Sequence, residues 1–169
     1  TRIAEDHLRI LRFFRFNARF GKGAPHAESL EACRARANDL MALSRERIAM
    51  ELLAILALPN PADAIALMID NGIFRPVLPE IDDAAGLRRL VLREVESGIA
   101  PDAIRRLAAL LKADTALAED IANRLKLSNA QRKRLIAAAA RSSDDAANPR
   151  ALGYRLGLET AIDRLLLGD

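Results

Sequence analysis

Apolar residues recur along this chain at spacings of three, four and seven, and no segment alternates strictly between apolar and polar. That is the signature of amphipathic helices rather than of half-buried strands. The first predicted helix runs from about Glu5 to Phe20 and is stopped by Gly21 and Gly23. A second spans roughly His26 to Leu40. The third is capped by Ser44, carries Ile48, Leu52, Ile55 and Leu56 on one face, and ends at Pro59 and Pro61. A fourth runs from Pro61 to Asn71, with Gly72 just past its end, and Phe74 to Pro79 reads as a proline-marked turn. In the second half, Leu87, Val91 and Val95 line a helix ended by Gly98, and Pro101 opens one with Ile104, Leu107, Ala108 and Leu111 on a face. Leu117, Ile121 and Leu125 line a shorter one, and Ser128 caps another that reaches Arg141. The stretch SSDDAANP, residues 142–149, is the clearest loop, followed by one or two closing helices. The expected fold is all-α, with many helices joined by short connections.

Composition agrees. Among 169 residues there are 33 Ala and 27 Leu, both strong helix formers, while aromatics make up only 4%. An all-β fold is thereby disfavoured. Cys33 is the sole cysteine, which excludes an intrachain disulfide scaffold, and with only His7 and His26 beside it a His/Cys metal site is also excluded. No apolar run approaches the ~18 residues of a membrane span, and charges interrupt the N-terminal apolar stretch where a signal peptide would have none. The expected location is the cytoplasm.

The net charge of +3 hides an uneven distribution. Residues 1–23 carry six cations against Glu5 and Asp6, and residues 124–141 carry Arg124, Lys126, Arg132, Lys133, Arg134 and Arg141 with no acid, so the remainder is acidic. Of the 26 basic residues 22 are Arg, the side chain suited to bidentate phosphate and base contacts. Such localised basic segments fit a polyanion binder. A solvated helix face in an Arg-rich chain has the same pattern.

The first helix changes that balance. At 100° per residue, Arg9, Arg12, Arg15 and Arg19 share a sector with Phe13, Phe16 and Phe20, while Leu11, Phe14 and Ala18 lie opposite. The helix has no clean polar face and is expected to be buried nearly all round. Buried guanidinium groups need partners, and Glu5 and Asp6 supply at most two, so an anionic ligand such as phosphate is implied. The alternative is that the arginines reach water along their apolar stems while the rings pack.

The stretch RIAEDHLRILRFFRF at residues 2–16 closely resembles the RI-x-ED-x-x-R-I-x-R-x-x-RF signature of class II nucleotidyltransferases, the CCA-adding tRNA nucleotidyltransferases and bacterial poly(A) polymerases. LSRERIAMEL at residues 43–52 is similar to that family's LS-x-ERI-x-x-EL neck helix, and AIALMIDNG at 64–72 is similar to a third pattern. Together these cover about the first 80 residues.

The resemblance implies a neck at residues 1–58 that recognises the nucleotide and a helical body at 59–169 that binds RNA. It places nucleotide recognition on Glu5, Asp6, Arg9, Arg12 and Arg15, and RNA contacts on Arg124, Lys126, Arg132, Lys133, Arg134 and Arg141. Ser44, Glu46, Arg47 and Glu51 look like the scaffold that holds the neck helices in register. The family's catalytic carboxylates form an Asp-x-Asp pair in a head domain that binds two Mg²⁺ ions. No such pair precedes the first motif, and Asp82-Asp83 and Asp144-Asp145 have the wrong spacing. The resemblance therefore assigns no catalytic or metal-binding residue to this chain. It implies a neck-and-body piece that works with a head domain, Mg²⁺, ATP and CTP on the 3′ end of tRNA and is inactive alone. A poly(A) polymerase shares the neck motif. A non-catalytic helical module that binds RNA or protein is the rival of a different class. Phe13 and Phe14 exceed what the motif needs and read first as core, second as stacking surfaces.

Overall fold

The computed structural model describes residues 2–21 and 23–168, and for residues 2–6 only the backbone. Ten α-helices follow in order: α1 (Arg2–Phe20), α2 (Ala27–Ala35), α3 (Arg45–Leu56), α4 (Ala62–Asp70), α5 (Ala85–Glu96), α6 (Ala103–Ala109), α7 (Thr115–Arg124), α8 (Asn129–Ala139), α9 (Pro149–Leu156) and α10 (Leu158–Leu167). Two 3₁₀ turns, Ala37–Ala42 and Ser143–Ala147, complete the set, and no strand occurs among the described residues. The fold is all-α, as the periodicity predicts. It divides into two compact units, Thr1–Ala84 and Ala85–Asp169. The packing boundary lies at Ala84, beyond the neck–body division expected at Leu58.

In the first unit α1 packs on α3, α4 and the first 3₁₀ turn. Leu8, Leu11 and Phe14 from α1 are buried with Ile48, Leu52, Ile55 and Leu56 of α3 and Ile65 and Met68 of α4. Each such fully buried side chain contributes about 1.5–3 kcal/mol relative to exposure. The turn after α4 adds Ile73, Phe74, Val77 and Leu78 to this core, all buried. Gly72 makes that turn possible. Its φ of +70° lets the Ile73 amide reach back to the Met68 carbonyl at 3.0 Å, a Schellman closure that disfavours a side chain. Ser44 caps α3, its hydroxyl accepting from the Arg47 amide at 3.4 Å.

Two expectations need correction here. The second helix stops at Ala35, not Leu40. Arg36 leaves helical geometry at φ −106°, and the following 3₁₀ turn aligns Ala37 and Leu40, three residues apart, on the core. Nor is α1 buried all round: Arg9, Arg12, Phe16, Arg19 and Phe20 are exposed along one flank. The core takes Leu8, Ile10, Leu11 and Phe14, with Phe13 half-buried and set edge-on against Phe14.

In the second unit α8 and α10 hold the centre. α8 packs on α7 and α6, and α10 packs on α9, α8, α5 and α6. Leu87, Leu90, Leu107, Ile121, Leu125, Leu135 and Ala138 are buried among them. Gly86 sits where α5 crosses the end of α6, and a Cβ there would lie 2.5 Å from the Ala109 carbonyl oxygen. Asp102, Asp114 and Ser128 cap α6, α7 and α8, and Gln131 completes a capping box with Ser128. Residues 142–149 are less of a loop than their composition predicts, because Ser142 and Asp145 form a second capping box around the 3₁₀ turn. In α5 the spacing predicts Val95 inside with Leu87 and Val91, but Val95 is exposed and Glu94 is buried in its place. Among the described residues, no helix is long and apolar enough to cross a membrane.

Candidate nucleic-acid interface

The first-unit site is built on α1 and fixed from behind by α3. Glu51, on the α3 face turned toward α1, is buried to 1% exposure. It draws in two α1 arginines: Arg12 Nε lies 3.6 Å from Oε1, and Arg15 Nη1 lies 2.9 Å from Oε2. Oε2 nevertheless has no hydrogen bond of good geometry among the described residues, so that contact is mainly electrostatic. Two further buried polar atoms of this unit, His7 Nδ1 and Arg45 Nη1, also have no hydrogen-bond partner among the described residues. The arginine side chains themselves remain 51% and 41% exposed, so the carboxylate anchors them without consuming them.

Among the expected nucleotide contacts, Arg9, Arg12 and Arg15 thus lie on the accessible flank of α1, three residues apart. Glu5 and Asp6 belong to the same helix by their backbone, while their side chains lie outside the described residues. Sequence reasoning misses the continuation of this flank. A groove of about 540 Å³ is lined by Arg12, Arg15, Phe16, Arg19, Phe20, Ala54 and Leu58. Phe16 is 65% and Phe20 58% exposed. The signal is present in the shared sector of those residues, but it reads equally as core packing until the exposed flank is known.

The second unit uses its arginines differently. Glu94, Arg105, Arg106 and Asp163 are all buried. Arg105 donates to Glu94 at 2.6 Å and to Asp163 at 2.8 Å, and Arg106 donates to Glu94 at 3.0 Å. Arg134 joins the same network, with Nε 3.0 Å from Asp163 and Nη1 2.8 Å from Asp102. Burial works against its charge, but the hydrogen bond and attraction of Asp163, with Asp102 and Glu159 behind, outweigh that and raise its pKa.

Of the six cations expected to meet RNA, Arg134 is therefore turned into the protein. Arg141 is as well, donating to the Leu111 carbonyl at 2.9 Å. It lines a basic cavity of about 390 Å³ with Arg89, Arg93 and Lys112, where Arg93 caps the end of α10 through the Leu166 and Gly168 carbonyls. The other four stay at or near the surface. Lys126 and Lys133 are exposed; Arg124 pairs with Asp120 at 2.6 Å, and Arg132 lies 3.7 Å from Glu119. Partly exposed pairs of this kind are worth at most about 1 kcal/mol and open readily for a stronger anion.

Comparison with known proteins places this arrangement. The family described as "Probable RNA and SrmB-binding site of polymerase A" matches residues 24–85. The mitochondrial CCA tRNA nucleotidyltransferase 1 of Danio rerio is 34% identical over 134 residues, covering 78% of this chain and 30% of that protein. The Multifunctional CCA protein of Xanthomonas campestris is 34% identical over 119 residues, 67% of this chain and 29% of that protein. The CCA-adding enzyme of Bordetella bronchiseptica is 34% identical over 98 residues, 57% of this chain and 27% of that protein. The chain thus spans less than a third of the length of these relatives. An α1 that carries RI-x-ED-x-x-R, anchored by the last Glu of an LS-x-ERI-x-x-EL helix and joined to these relatives over most of the chain, belongs to the family of CCA-adding tRNA nucleotidyltransferases and poly(A) polymerases.

Proposed function

We propose that this chain is the nucleotide-recognising and RNA-holding part of a template-independent nucleotidyltransferase that adds CCA to tRNA 3′ ends from CTP and ATP. The observation that carries this reading is the clamp of Arg12 and Arg15 by the buried Glu51, which fixes the rotation of α1 about its axis. A helix so held presents Asp6 and Arg9, one turn apart, in constant register. Cytosine and adenine each show an exocyclic amine beside a ring-nitrogen acceptor; uracil and guanine show a carbonyl beside a ring N–H. A fixed Asp acceptor next to a fixed Arg donor matches the first pair and leaves buried groups unmet with the second. Glu5 orients its neighbours, and Arg12 and Arg15 serve the bound nucleotide from their exposed faces.

RNA backbone phosphates fall to Lys126 and Lys133, with Arg124 and Arg132 behind their surface pairs. Arg134 and Arg141, committed inside the second unit, are not needed for this role. Mg²⁺ and the carboxylates that hold it belong to a head domain. Among the described residues of this chain no three His, Cys, Asp or Glu side chains group so as to hold a metal.

The test is nucleotide addition by the full-length protein to tRNA lacking its 3′ end. Addition of C, C and then A supports a CCA-adding enzyme. A long A tract supports a poly(A) polymerase, the reading favoured by the family description's mention of polymerase A. Asp6→Ala sharpens the result: discrimination against UTP and GTP in kcat/KM falls by about 10- to 100-fold, the worth of a bidentate base contact, more than activity with CTP or ATP. Equal losses for all four nucleotides make Asp6 a structural partner of its neighbours instead.

A further inference from the structure

The α1 flank continues past the nucleotide-reading residues into a feature that base recognition does not use. Phe16 and Phe20 project from successive turns with ring centroids 5.0 Å apart and planes tilted by 48°. The Arg19 guanidinium lies 5.1 Å from the Phe20 centroid. Arg12 and Arg15 close the other side of the groove, Ala54 and Leu58 of the α3 region form its floor, and no carboxylate of the described residues lines it. Two large rings left in water are costly for a lone structural helix. Rings alternating with guanidinium groups are the elements of a single-strand nucleic-acid subsite, where aromatic faces take bases and cations take phosphates. The groove's volume of about 540 Å³ admits a nucleotide unit.

We propose that Phe16, Phe20 and Arg19 form a stacking subsite for an unpaired nucleotide of the RNA, separate from the base-reading pair Asp6 and Arg9. An unpaired base packs against the Phe16 and Phe20 faces, and its flanking phosphate meets Arg19, while Arg12 and Arg15, which serve the bound nucleotide, form the edge that the two sites share. Glu51 contributes as a positioning residue, holding Arg12 and Arg15 at the groove's edge. A duplex cannot use the rings, because its bases are already stacked, so the subsite selects single-stranded ends. The proposal rests on the RNA-binding reading above but needs neither nucleotide triphosphate nor catalysis.

The experiment measures binding of a fluorescein-labelled single-stranded heptaribonucleotide and of the matching duplex to the full-length protein. Phe16→Leu and Phe20→Leu keep apolar volume and remove the ring. Each is expected to weaken the single strand by about 5- to 100-fold while the duplex changes less than twofold. Replacing the stacked base by an abasic site should weaken wild type equally and leave the Leu variants unchanged. Phe16→Trp is a second route that keeps an aromatic face in place: its emission should be quenched by the heptaribonucleotide and not by heparin, which offers charge without bases. Equal binding of wild type and Leu variants overturns the proposal, as does quenching by heparin. If the indole placed at position 16 is already shielded from acrylamide before RNA is added, the proposal also falls, because the flank is then covered by another part of the chain or a second copy. If wild type binds neither RNA, the RNA-binding reading itself falls. If wild type binds RNA and the Leu variants match it, that reading stands and the stacking subsite alone is refuted.

Discussion

The two units of this protein are rich in the same side chain and put it to opposite uses. In the second unit Arg105, Arg106 and Arg134 face inward and meet Glu94, Asp163, Asp102 and Glu159, at least one acid for each cation. Among the described residues, every buried polar side-chain atom of that unit has a hydrogen-bond partner. In the first unit Arg12 and Arg15 share one buried carboxylate, Arg19 stands over a phenylalanine ring, and three buried polar atoms are unmatched. A matched network specifies packing; two arginines that share one carboxylate and still reach solvent are available to a ligand. Arginine content alone therefore says nothing about function, and the local ratio of acids to arginines says a good deal.

The largest expected effect tests the matched side. Asp163→Ala strips Arg105 and Arg134 of a shared partner in a site closed to water, and urea unfolding should show a loss of about 3–5 kcal/mol in the second unit. Glu51→Ala should cost far less, about 1 kcal/mol, because its two arginines already reach solvent and the variant also removes a buried carboxylate. Equal losses would mean that the first-unit pairs are as structural as those of the second, and the comparison would collapse.

A smaller effect separates cations that lie side by side in sequence. Arg134→Ala removes charged hydrogen bonds to Asp163 and should cost about 2 kcal/mol of stability, with little change in the salt dependence of RNA binding. Arg132→Ala with Lys133→Ala should leave stability within about 0.5 kcal/mol and flatten the log–log salt slope by about one unit for each phosphate no longer neutralised. A slope that responds to Arg134 and not to Lys133 would reverse the assignment.

These neighbours also show where sequence reading stops. Helix positions and caps are legible, because periodicity, Ser44, Ser128 and Gly72 act within a turn or two of themselves. Residues 132–134 look alike as RKR, and what distinguishes Arg134 is Asp163, 29 residues away, brought near only by the packing of α10 on α8. The exchange of Val95 for Glu94 on the buried face of α5 has the same origin, since Arg105 and Arg106 come from the next helix. The break of the second helix at Arg36 depends on which of several alanines the core accepts. The groove on α1 is half legible: the shared sector of arginines and phenylalanines is visible in sequence, but which rings reach water is decided by α3 and α4, which accept Phe14 and leave Phe16 and Phe20 outside.

The smallest expected effect has the opposite sign. Lys126 adopts φ +53°, left-handed geometry at the end of α7, where the Leu127 amide closes back on the Ala122 carbonyl at 3.0 Å. Glycine is the residue that relieves such a position, since a Cβ there costs about 1–2 kcal/mol, offset in part by glycine's greater freedom when unfolded. Lys126→Gly should therefore raise stability, by about 1 kcal/mol or less, read as a shift in the urea midpoint at unchanged slope. It also deletes a cation of the surface group, so RNA affinity should fall and the salt slope drop by about one unit. Lys126→Asn separates the two, because asparagine tolerates the left-handed region without carrying charge. If both variants bind RNA as wild type does, Lys126 leaves the RNA surface. If both lose the same salt-dependent affinity while only the glycine variant gains most of the stability, the charge at this position serves the ligand at a cost to the fold, the reverse of what Arg134 does eight residues later.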